Sequence, residues 1–200
     1  MTPYRAGLVL SFGALLAPSA AHAHLVNSGV GPFYDGALHL ILSPMDIVRL
    51  VTLCLFAGAQ GPQSARSAVI LAPAAWLLAG VAAYAFGATG SFGFANAISL
   101  FLIGGLVAFD LRPPPAVVGA VAAGFAGFLG LQNGMALRSD GMDWVALLGT
   151  AAAVLVVVLS VTALVVSATA FPFRVACRVL GSWASATGLL SIGWIVAASR

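Results

Sequence analysis

Pro32-Phe33-Tyr34-Asp35-Gly36-Ala37-Leu38-His39-Leu40-Ile41-Leu42-Ser43-Pro44-Met45-Asp46-Ile47-Val48-Arg49 is an apolar stretch that carries four side chains able to bear charge near neutral pH, Asp35, His39, Asp46 and Arg49. Only 6% of the chain is charged, 62% is hydrophobic and the mean hydropathy is +1.09. In such a chain, charge at membrane depth is costly and needs a reason. Ser43-Pro44 decides how the stretch folds. Ser suits a helix N-cap and Pro the first helical position, so the spacing predicts a break, with a helix starting at Pro44 and Asp46 in its first turn. A short helix over residues 33–42 then rests at the membrane surface, and the spanning helix follows it. Broken helices of this kind line polar cavities in transporters.

Working outward, the 200 residues and 20.1 kDa fit one membrane domain and leave no room for a separate soluble one. The sequence holds eight Arg, five Asp, no Lys and no Glu. The basic excess does not read as a nucleic-acid surface, because the arginines are scattered singly. The N-terminus has the form of a secretory signal: Arg5, an apolar run over 6–17, Pro18-Ser19, then Ala21-His22-Ala23. The expectation is a signal peptide over 1–23 and one transmembrane helical domain over 24–200, with an uncleaved seventh helix as the alternative. Cleavage after Ala23 leaves His24 at the mature N-terminus, where amine and imidazole together can chelate a divalent metal. Cys54 and Cys177 form no CxxC and read as small buried hydrophobes.

The predicted fold is an all-α polytopic bundle. Six apolar segments, approximately 37–58, 67–86, 92–109, 115–131, 144–168 and 175–197, are candidates for spans, the third and fourth a little short of the ~20 residues a span needs. Arg66, Arg112, Arg174 and Arg178 fall at one side, Arg138 with Asp140 and Asp143 at the other. The positive-inside bias then gives a multi-pass inner-membrane protein with its mature N-terminus outside. Gly119, Ala123 and Gly127 in one segment, and Gly181, Ser185 and Gly188 in another, read as seams for close helix packing in lipid. Asn96 reads as a helix-to-helix hydrogen-bonding group. The bilayer is the expected surrounding, and a homo-oligomer stays open.

Asp35 and His39, four apart, share a helix face at roughly 5–6 Å between Cβ atoms. Imidazole and carboxylate at that spacing can hold one divalent ion or each other. On an unbroken helix Asp46 would lie roughly 10 Å further along, but the break lets it approach His39. Arg49, three residues on, can pair with Asp46 and reduce the negative charge available to a cation. The candidate metal ligands are therefore His39, Asp46, Asp35 and His24, with Arg49, Asn133 and Asn27 in supporting or pathway positions. Gln132-Asn133 lies on the same side as His39 and either lines a way in or forms a turn.

The run Asn27-Ser28-Gly29-Val30-Gly31-Pro32-Phe33-Tyr34-Asp35-Gly36-Ala37-Leu38-His39, with Leu42-Ser43-Pro44-Met45-Asp46, resembles the opening of HupE/UreJ family proteins. Asn133-Gly134, the run from Arg178 to Trp183, Gly188-Leu189-Leu190 and Gly193-Trp194 extend the likeness over nearly the whole mature chain. The family consists of membrane proteins associated with hydrogenase and urease accessory functions. The resemblance implies movement of nickel or cobalt into the cell as cargo, with no permanently bound cofactor. The better-known branch has a His and then an Asp-His pair. Here Ile47 follows Asp46 and the spacing is one residue longer, which marks a divergent branch lacking one nitrogen ligand. Imidazole suits nickel better than carboxylate does.

Two functions follow. One is a small permease for a divalent transition metal, with capture at the outer mouth and no nucleotide-binding loop to drive it. The other is a non-transporting accessory protein that binds a metal or a partner at that face; the scarcity of polar groups deeper in the segments favours it. An intramembrane hydrolase does not follow, because Ser182 and Ser185 have no histidine near them to act as base.

Overall fold

The computed structural model describes residues 28–199, and all regular structure among them is helical. The signal segment, His24 and Asn27 lie outside the described residues. The helices are α1 (Pro32–Ile41), α2 (Pro44–Ala59), α3 (Pro62–Phe86), α4 (Gly93–Ala108), α5 (Pro115–Ser139), α6 (Val145–Ser167) and α7 (Phe171–Ala198). Five of these seven begin with proline in the first two positions, where its fixed φ is preorganised and its missing N–H is not needed. Gly87, left-handed at φ 61°, ends α3.

The break falls at Leu42-Ser43, and α1 meets α2 at 74°. Ser43 holds the N-cap position but does not cap α2 with its side chain. Its hydroxyl instead donates to the His39 carbonyl at 2.7 Å, closing the end of α1. The same residue thus serves the other side of the break from the one its type suggests.

By length and apolarity, α3, α5, α6 and α7 each suffice to cross a membrane, and the bent pair α1–α2 qualifies as a fifth span. The 16-residue α4 is apolar but shorter, about 24 Å at 1.5 Å per residue against a hydrocarbon core of about 30 Å. The sequence segment over 92–109 therefore does not reach a span by length alone. The molecule is a multi-pass membrane protein, and outward-facing side chains such as Leu78, Leu190 and Trp194 are exposed as lipid-facing groups are.

At the centre stands α2. It packs on α3, α4, α5, α6 and α7, and its residues from Thr52 to Gly58 are buried on every side. A helix apolar all round belongs in the interior. Around it, α3 lies chiefly on α5 and α4 on α7, while α6 receives α1, α2 and α3. Small residues set the spacing. A methyl group placed on Gly130 or Gly134 would run into the backbone of Trp76 or Gly80, so the α3–α5 seam follows Ala122, Ala126, Gly130 and Gly134. The neighbouring stripe of Gly119 and Gly127 makes looser contacts with Leu71 and Ala75. In the α4–α7 seam, a Cβ on Gly104 would lie 2.5 Å from the Ser185 nitrogen, and one on Gly188 2.5 Å from the Phe101 nitrogen. Cys54 and Cys177 are buried and unbridged.

Candidate metal site

The helix break opens a pocket of about 460 Å³ at one end of the bundle. His39 comes from the last turn of α1 and Asp46 from the first turn of α2. The α3–α4 loop contributes Thr89 and Gly90, and α5 contributes Gln132 and Asn133. Groups seven residues apart thus face one cavity because the chain turns between them.

The position of α1 depends on α6. Gly36 lies against the Ala146 backbone and Gly149 against that of Phe33, with no room for a side chain at either contact. The buried Thr150 hydroxyl sits 3.0 Å from the Gly36 carbonyl and 2.9 Å from that of Ala146. This clamp places His39, half-buried, over the start of α2.

The polar groups of the pocket differ in how far the protein satisfies them. Arg49 Nη1 donates to Asp46 Oδ1 at 2.9 Å, so the expected ion pair is present; the Arg49 side chain is 12% exposed and that of Asp46 33%. Among the described residues, Asp46 Oδ2 and the His39 imidazole have no hydrogen-bond partner in the protein. Asn133 is 6% exposed and its Oδ1 is buried without a partner. Gln132 is fixed: its Oε1 accepts from Asn96 Nδ2 at 2.7 Å and its Nε2 donates to the Phe128 carbonyl at 3.3 Å. Asn96 thus joins α4 to α5, as its residue type suggests, and its own Oδ1 is a second buried acceptor with no partner. Buried acceptors left open in this way are uncommon, and amide oxygens are suitable cation ligands.

Asp35 is not among the residues lining the pocket. Its carboxylate accepts from the Ser28 N–H at 2.6 Å. Among the described residues no group of three or more His, Cys, Asp or Glu lies together as a metal cage. The pocket is therefore lined by one imidazole, one carboxylate and the side-chain amides of Gln132 and Asn133. Nothing in the sequence marked the open oxygens of Asn133 and Asn96, since they depend on how α4 and α5 pack.

A multi-pass helical membrane protein with a polar pocket at a helix break is the class that fold and site define. The family model described as HupE / UreJ protein matches residues 12–191, and the chain belongs to that family. Its members are associated with nickel or cobalt transport or with accessory roles, and the family is not one of enzymes. No curated protein and no solved structure gives a significant match.

Proposed function

We propose that the protein is a small permease for a divalent transition metal, nickel first and cobalt second, which captures the ion in the His39–Asp46 pocket. One observation carries this reading: His39, with an unpartnered imidazole, Asp46, with one unpartnered carboxylate oxygen, and Asn133, whose buried Oδ1 has no partner, line one cavity. The imidazole supplies the nitrogen ligand that nickel favours, and the oxygens and water complete the shell. Arg49 holds Asp46 Oδ1 and so orients Oδ2 while reducing its charge. That moderates the affinity, as release of a cargo requires. His24 and Asn27, outside the described residues, supply a further nitrogen and an amide if the mature chain begins at His24. The pocket end faces outside in this reading, with residues 1–23 removed as a signal and the remainder forming one domain.

One turn below the pocket, Leu50 and Leu129 belong to an apolar cluster with Cys54 and Trp76. That plug closes the way inward, so passage requires the helices around α2 to separate. It also favours the second reading, a non-transporting accessory protein that binds metal at the same mouth. Uptake of radioactive nickel, in cells lacking their own importers, separates the two. Uptake above the empty vector, lost in His39→Ala and Asp46→Asn at equal membrane levels, is the expected result. Uptake equal to the empty vector for nickel and for cobalt would overturn the permease.

A further inference from the structure

The opposite end of the bundle holds a second cavity, of about 400 Å³, which the metal reading does not use. Arg112, Arg174 and Arg178 line it against a single acid, Asp110. Its sign is wrong for a divalent cation and right for an anion. Helix ends of both polarities border it, the starts of α3 and α7 and the ends of α2 and α6. Their dipoles oppose one another, so the arginines set the field.

These arginines are not used up by the protein. Asp110 Oδ2 is 3.3 Å from Arg112 and 3.5 Å from Arg174, whose side chains are 62% and 55% exposed. Ion pairs that long and that exposed contribute little. Arg178 donates through Nε to the Ala108 carbonyl at 3.0 Å, and among the described residues its two Nη groups have no protein partner. Guanidinium groups match phosphate oxygens in fork geometry. The remaining wall is apolar, with Val107, Val165 and Phe173, and it opens beside Phe171, 78% exposed. The ligand therefore needs an anionic head and an apolar extension, at the level where a helix bundle meets the membrane surface.

We propose that this cavity binds the headgroup of an anionic phospholipid, with Arg178 and Arg112 as the phosphate contacts and the Val107–Phe173 wall against the first part of the acyl chains. Basic pockets between transmembrane helices bind such headgroups. The proposal is independent of the metal reading and stands or falls separately.

Native mass spectrometry of the full chain in detergent tests it, with phosphatidylglycerol and phosphatidylcholine as probes. The intact protein should retain phosphatidylglycerol in clear preference to phosphatidylcholine. Arg178→Gln and Arg112→Gln should each weaken phosphatidylglycerol binding about fivefold, the effect of one arginine near a membrane surface. Arg66→Gln, at the same end but outside the cavity, should leave it unchanged. Equal retention of the two lipids by the intact protein would overturn the proposal without recourse to any variant. Equal losses in Arg66→Gln and Arg178→Gln would reduce the site to a nonspecific basic belt. Displacement of the lipid by millimolar inorganic phosphate would assign the cavity to a free anion and overturn the lipid. If Arg178→Gln fails to fold, the exposed Arg112 still provides the variant arm.

Discussion

Asp46 lines the pocket and holds Arg49 through one carboxylate oxygen, while the other has no partner among the described residues. The Arg49 side chain is 12% exposed, so Asp46→Asn leaves a largely buried guanidinium without its counter-charge. Breaking a fully buried pair costs about 3–5 kcal/mol, and the one-third exposure of Asp46 lowers the expectation to about 1–3 kcal/mol. Thermal unfolding in detergent should show that loss, and the double variant Asp46→Asn with Arg49→Gln should recover part of it. Additive losses would mean that the pair contributes no coupling. Spacing alone made this ion pair legible in the sequence. The same kind of spacing brought Asp35 and His39 to one helix face, yet Ser28 holds the Asp35 carboxylate. Helical periodicity does not register a competing backbone N–H from the preceding loop. The open oxygen of Asn133 was equally invisible, because it is defined by what α5 fails to meet.

The clamp between α1 and α6 is the device that puts His39 over α2. Gly36→Ala would force its new methyl group into the Ala146 backbone and lift α1 away. The expected result is loss of metal binding comparable to His39→Ala, together with destabilisation of about 1–3 kcal/mol from overpacking. Gly124→Ala, where a Cβ meets nothing within 4 Å, should keep both binding and stability. Unchanged binding in Gly36→Ala would show that α1 does not need this contact. The break itself was readable at Ser43-Pro44 because proline and N-cap chemistry act locally. The α3–α5 seam was readable only as a kind of surface. The expected stripe of Gly119, Ala123 and Gly127 does meet α3, at Ser67, Leu71 and Ala75, but glycine and alanine occur on more than one face of α5. The closest backbone approach runs along Ala122, Ala126, Gly130 and Gly134, against Trp76 and Gly80, and it depends on the partner helix.

For the molecule as a whole, the two cavities carry opposite chemistry at opposite ends of α2. Its first turn holds Asp46, and its last residues, Gly58 and Ala59, line the arginine-rich cavity. The orientation proposed above, drawn from the positive-inside bias, puts the arginine end in the cytoplasm. In a Cys54→Ala, Cys177→Ala background, an impermeant maleimide should label Ser139→Cys in intact cells and Gln63→Cys only after permeabilisation. The reverse pattern would invert the topology. Composition sufficed for the helical membrane class. It did not settle how many helices span by length, since α4 is short and α1–α2 is bent. The assignment of the pocket as the metal site is tested most directly by equilibrium nickel binding to the purified protein. His39→Ala should weaken binding at least about tenfold, since even residues that only support a metal ligand change affinity by 10–100-fold. Asp35→Asn, outside the pocket, should bind as the intact chain does. Intact affinity in His39→Ala, or a loss confined to Asp35→Asn, would contradict the pocket as the site of capture.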